Sequence, residues 1–171
     1  ICDRLRKSPD LAAAFVNAPS RLSAISADAL ATASTTVATE RGLRLSACAA
    51  AYAVQVSRAV RPANLFMIRR KATADCTRNL TWIVDGEHAE IRFDGGEVKN
   101  GQIVIVHVRG EDARVLWQWD RVDRPALMKL RGIDASPYLF PGTAAPRLRK
   151  SALNLPEGCM SVAAIMELWD L

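Results

Sequence analysis

Histidine and aromatic residues are scarce in this chain, and the scarcity excludes several kinds of chemistry. Only two histidines are present, His88 and His107, and aromatics make up 6% of the residues. No Ser-His-Asp set, HExxH, Walker loop or GxGxxG occurs, so hydrolase, zinc-protease and nucleotide-fold readings have no motif to rest on. The four cysteines, Cys2, Cys48, Cys76 and Cys159, are far apart with no CxxC and no adjacent histidine, a spacing that suits neither a zinc site nor a redox pair. They read as buried or free thiols in a reducing cytoplasm. Long apolar runs are missing too: the longest, 47–56, meets Ser57 and Arg58 before it could approach the ~20 residues of a membrane span. Asp3, Arg4, Arg6, Lys7 and Asp10 interrupt residues 1–20, and no apolar run of signal-peptide length is visible there. No repeat, low-complexity tract or heptad run is visible.

What is there suits a folded, mildly basic protein. Half of the 171 residues are apolar and 24% are charged, enough for a core with a solvated surface. Lys and Arg number 23 against 18 Asp and Glu, a net charge of +5.

The first sixty residues have helical character. Pro9-Asp10 opens a short apolar segment, Leu11–Val16, that ends near Asn17-Ala18-Pro19. A second helix, capped by Ser26 or Asp28, runs to about Glu40 and closes at Gly42. A third covers Leu43 to Val60, with Leu45, Cys48, Ala49, Tyr52, Val56 and Val60 near its inner face. Pro62 starts a short helix over 63–69. The period then becomes two: Leu80, Trp82 and Val84 alternate, Asp85-Gly86 turns, and Ala89, Ile91 and Phe93 alternate again. Asp94-Gly95-Gly96 turns before Glu97-Val98-Lys99, and Asn100-Gly101, a strong hairpin signal, leads into Gln102–Val108. Helix returns over Glu111–Arg121 with Val115, Leu116 and Trp119 inward. Pro125–Leu130 as a short apolar helix or turn, the extended segment 136–142 and a helix over Val162–Leu171 capped by Ser161 follow. The fold class is α+β, mainly helical, with a small antiparallel sheet of three or four strands inserted.

Arg61 and Lys99 stand out for chemistry. Arg61 follows a buried helix and begins Arg-Pro-Ala-Asn-Leu, where a rigid mount can present a planar guanidinium to a phosphate or carboxylate. Lys99 precedes a hairpin turn, on an element that can reach into a nucleic-acid groove. Further basic residues gather at Arg69, Arg70, Lys71 and Arg78, and again at Arg147, Arg149 and Lys150, the kind of footprint that binds a phosphate backbone. His88 and His107 read as structural or surface residues. Trp82, Trp117, Trp119 and Trp169 fall on or beside core faces.

Taken in order, Val60-Arg61-Pro62-Ala63-Asn64-Leu65, Glu97-Val98-Lys99-Asn100-Gly101 and Tyr138-Leu139-Phe140-Pro141-Gly142 resemble the catalytic domain of the tyrosine recombinase (phage integrase-like) family. The resemblance covers roughly residues 30–171, with 1–29 as a linker or N-terminal helical segment. Many relatives carry Glu where this chain has Asn64. The resemblance implies a site-specific DNA recombinase that cuts through a 3′-phosphotyrosyl intermediate without metal or cofactor. It implies Arg61 as the first catalytic arginine and Lys99 as the hairpin lysine, the general acid for the leaving 5′-oxygen. Double-stranded DNA is the implied partner, a homotetramer on DNA the implied assembly, and the bacterial cytoplasm and nucleoid the implied location. The family's His-x-x-Arg element and tyrosine nucleophile have no counterpart in these residues. Tyr52 and Tyr138 sit in packing positions and do not replace the nucleophile. The expectation is a fragment of a recombinase, inactive by itself. Two other readings stay open: a non-catalytic DNA-binding accessory protein on the same scaffold, and a structural or interaction domain.

Overall fold

The computed structural model describes residues 7–72, 77–98 and 101–142. Of the segments singled out above, Lys99, Asn100, Arg147, Arg149, Lys150 and the 161–171 helix lie outside the described residues, as do Cys2, Cys76 and Cys159. Helix α1 (Pro9–Val16) starts as expected, with the Ser8 hydroxyl accepting from the Leu11 amide at 3.3 Å. It is followed at once by α2 (Ala18–Thr32) and then, after a break, by α3 (Thr36–Ser57).

These boundaries correct the sequence-based ones. The break falls at residues 33–35, where Thr35 caps α3 by accepting from the Ala38 amide at 3.1 Å. Gly42 does not close a helix; it lies inside α3 where α2 crosses. A Cβ there would stand 2.8 Å from Leu30 Cγ and Cδ2, so the missing side chain permits the close approach. The Ser26 hydroxyl donates to the Gly42 carbonyl at 2.8 Å at the same crossing. The inner face of α3 keeps Cys48 and Ala49, both buried as expected, but its other members differ from the expected ones. Leu43, Ala47, Ala50, Ala51 and Val54 are buried, whereas Leu45, Tyr52 and Val56 are half-buried.

A short helix α4 (Pro62–Phe66) follows, ending earlier than 69. The sheet is a meander of three antiparallel strands in the order β1 (Leu80–Val84), β2 (His88–Phe93) and β3 (Val104–Arg109). Its alternation is the one read from the sequence in β2, but not at the end of β1: the register shifts between Trp82 and Val84, and Val84 is exposed. Leu80 pairs with Ile91, and Ile91 with Val106, placing these side chains on the core face. His88, Glu90 and Arg92 take the other face. Glu97 is not in a strand: it ends a one-turn 3-10 helix, Gly95–Glu97.

Helix α5 (Gly110–Gln118) runs into a π-helical turn, Trp119–Asp123, and then α6 (Arg124–Leu130). Pro125 lacks the amide that would continue a regular ladder. The wider turn sends Trp119 into the core and carries Asp120 and Asp123 inward with it. Phe66, Trp119 and Phe140 close the core, with Trp119 and Phe140 stacked at 6.0 Å between ring centroids.

Candidate functional site

Arg61 is placed by a side-chain clasp that no sequence motif announced. After α3 ends, the Gln55 amide brackets Val60: its Nε2 donates to the Val60 carbonyl at 2.9 Å, and its Oε1 accepts from the Val60 amide at 3.0 Å. The next residue, Arg61, is held in extended backbone (φ −64°, ψ 143°) ahead of Pro62. Its side chain is exposed, and among the described residues no ion pair or hydrogen bond occupies the guanidinium.

Asn64, one turn beyond Arg61, is buried, and its Nδ2 donates to the Glu97 carbonyl at 3.2 Å. This contact joins the first motif to the second, whose Glu97 is two residues before Lys99. Glu97 is held three ways. Its carboxylate accepts from the Asp94 amide at 3.0 Å in a capping box, it pairs with the Arg69 guanidinium, and its carbonyl takes Asn64. Described residues on either side of Lys99 and Asn100 come close together: the Gly101 amide donates to the Val98 carbonyl at 3.0 Å. A Cβ on Gly95 would lie 2.3 Å from the Gly101 carbonyl oxygen.

The third motif packs beside the continuation of the first. The Leu139 amide donates to the Ile68 carbonyl at 2.7 Å, and the Arg70 amide to the Pro137 carbonyl at 2.8 Å. Arg124 is buried, and its Nε and Nη2 donate to the Tyr138 carbonyl at 3.0 and 2.8 Å; Nη2 also reaches the Ser136 carbonyl at 2.8 Å. Burial, and then the charge of Arg70, push the Arg124 guanidinium down to about 10, with Asp120 opposing. Trp119 Nε1 donates to the Leu139 carbonyl at 3.1 Å. Three motifs separated by dozens of residues thus share one region.

The basic run divides by burial. Arg69 is 4% exposed, and besides pairing with Glu97 its Nε donates to the Thr77 carbonyl at 2.8 Å. Arg70 pairs with Asp120, a carboxylate 1% exposed that also accepts from Trp82 Nε1 at 3.1 Å. Both arginines are engaged within the chain, whereas Lys71 and Arg78 are exposed. Trp119 is fully buried, and Trp82 and Trp117 meet edge to face at 4.7 Å, half-buried. Tyr52 and Tyr138 are half-buried, in keeping with packing.

A separate groove of about 450 Å³ lies between α2 and α5, lined by Ser26, Leu30, Val115, Gln118 and Asp123 among others. It shares no residue with the clasp around Arg61 and Glu97. Among the described residues, no group of three or more His, Cys, Asp and Glu side chains is placed to hold a metal ion. No described helix is long and apolar enough to cross a membrane. No protein-family model matches the chain, and neither proteins of assigned function nor solved structures give a match.

Proposed function

We propose that the chain is part of the catalytic domain of a site-specific DNA recombinase of the tyrosine recombinase kind, acting on double-stranded DNA and assembling as a homotetramer on it. The observation that carries this reading is the Asn64–Glu97 hydrogen bond, which ties the turn bearing Arg61 to the segment leading into Lys99. Arg61 clamps the non-bridging oxygens of the scissile phosphate. An arginine suits this role because its fork donates two parallel hydrogen bonds and keeps its charge at every working pH. The clamp gains strength as charge builds on the phosphoryl oxygens in the transition state. Lys99 protonates the leaving 5′-oxygen. Lys71 and Arg78 hold neighbouring phosphates and set the salt dependence of binding. Arg147, Arg149 and Lys150 are proposed to do the same. Arg69 and Arg70 brace the site from within. The proposed chemistry gives the charge stabilisation to Arg61 and the proton transfer to Lys99 and not to a metal, and needs no nucleotide cofactor, since the tyrosine ester conserves the phosphodiester energy for rejoining.

The experiment is strand cleavage by the protein expressed from its complete reading frame, using nicked duplex substrates that trap a covalent intermediate. A protein–DNA adduct on a denaturing gel, lost in Arg61→Ala and Lys99→Ala while duplex binding persists, is the expected result. Absence of an adduct, or one indifferent to Arg61→Ala, overturns the reading.

A further inference from the structure

The only two histidines of the chain are brought together on the solvent face of the sheet. His88 on β2 pairs with Arg109 on β3, and Glu90 pairs with His107, so the two imidazoles are diagonal neighbours on one face. His88 Nε2 and His107 Nδ1 stand 3.2 Å apart, with ring centroids at 5.4 Å. Arg109 Nε donates to His88 Nε2 at 3.4 Å, so that nitrogen acts as an acceptor. Glu90 Oε2 lies 4.0 Å from His107 Nδ1.

We propose that His88 and His107 form a two-nitrogen surface site for a divalent transition-metal cation of the zinc, nickel or copper class. The proposal is independent of the recombinase reading. Imidazole is the commonest metal ligand in proteins, and this class of cation prefers it. A tetrahedral ion with bonds of 2.0–2.1 Å holds two ligand nitrogens about 3.3 Å apart. The observed 3.2 Å is therefore close to the separation a bound ion requires, so metal binding asks little of the backbone. The site has two protein ligands and leaves the remaining positions to water or an outside donor. Glu90 supplies a nearby negative charge. Arg109 opposes the metal by its charge and by occupying the His88 lone pair, so it must swing away; its side chain is exposed and free to do so.

The opposite signs of Glu90 and Arg109 make the test specific. Titrate untagged protein with Ni²⁺ by calorimetry at pH 7.5, checking that each variant keeps the wild-type circular dichroism. The expected result is one ion per chain, with affinity reduced at least about tenfold in His88→Ala and in His107→Ala. Glu90→Gln weakens binding and Arg109→Gln tightens it severalfold. No binding heat, binding retained when both histidines are replaced, or an Arg109→Gln affinity no higher than wild type overturns the proposal.

Discussion

The side-chain amide of Asn64 donates to the backbone carbonyl of Glu97 at 3.2 Å, joining two motifs that are 33 residues apart in sequence. Glu97 in turn holds Arg69, which is almost wholly removed from water. Removing the carboxylate leaves a buried guanidinium without its anion, which is the costly way to break such a pair. Glu97→Ala therefore lowers stability by about 3 kcal/mol. Asn64→Ala loses one neutral hydrogen bond and costs about 1 kcal/mol. Urea unfolding midpoints of the two variants check the order, and a larger loss in Asn64→Ala contradicts it.

Adjacent glycines give the sharpest packing contrast. A Cβ on Gly95 meets the Gly101 carbonyl oxygen at 2.3 Å, and that oxygen belongs to backbone that has no rotamer to yield. A Cβ on Gly96 meets nothing within 4 Å. Gly95→Ala is expected to cost about 2 kcal/mol or more, while Gly96→Ala stays within about 0.5 kcal/mol of wild type. Thermal unfolding of the pair decides it.

Arg124 presents a planar fork to the Ser136 and Tyr138 carbonyls, and a lysine cannot reproduce it. Arg124→Lys is expected to destabilise by about 2 kcal/mol, and Arg124→Met by more, because both half-buried carbonyls then lose their donors. The amides of Tyr138, Leu139, Phe140 and Gly142 should exchange with deuterium faster in both variants. Unchanged exchange there contradicts the anchoring role.

Cys48 is fully buried, and burial pushes its thiol up to about 12, with Arg44 opposing weakly. It should therefore stay unmodified by a thiol-reactive disulfide reagent at pH 8 in the native protein and react once the chain unfolds. A folded value above the unfolded one means that the folded state holds the proton more tightly. The associated stability is complete below about pH 8.5, where unfolded cysteine titrates, and is lost as pH rises toward 12. Peptide mapping after labelling identifies the site, and native labelling of Cys48 contradicts its burial.

Much of the sheet was legible because a half-buried strand writes its burial as a period of two, and Leu80, Ile91 and Val106 follow that pattern. The helix boundary at Gly42 was not legible. A glycine that ends a helix and one that admits a crossing helix look alike in sequence, and only Leu30 distinguishes them. The basic run at Arg69 and Arg70 read as surface because charge is visible in sequence while its partners are distant. Glu97 lies 28 residues from Arg69, and Asp120 lies on a π-helical turn that propensity does not foretell. Gln55 carried no signal at all, since its role depends on folding back onto Val60.

The most direct test of the functional account is a fluorescence anisotropy titration of this chain with duplex DNA at about 100 mM salt, repeated across salt concentrations. The expected result is binding whose logarithm falls linearly with the logarithm of salt, with a slope shallower by about 1 for each phosphate-contacting residue removed among Arg61, Lys71 and Arg78. Substituting Arg70, engaged with Asp120, should leave the slope unchanged. No measurable affinity for duplex DNA at that salt, or a slope that responds to Arg70 and not to Arg61, would contradict it.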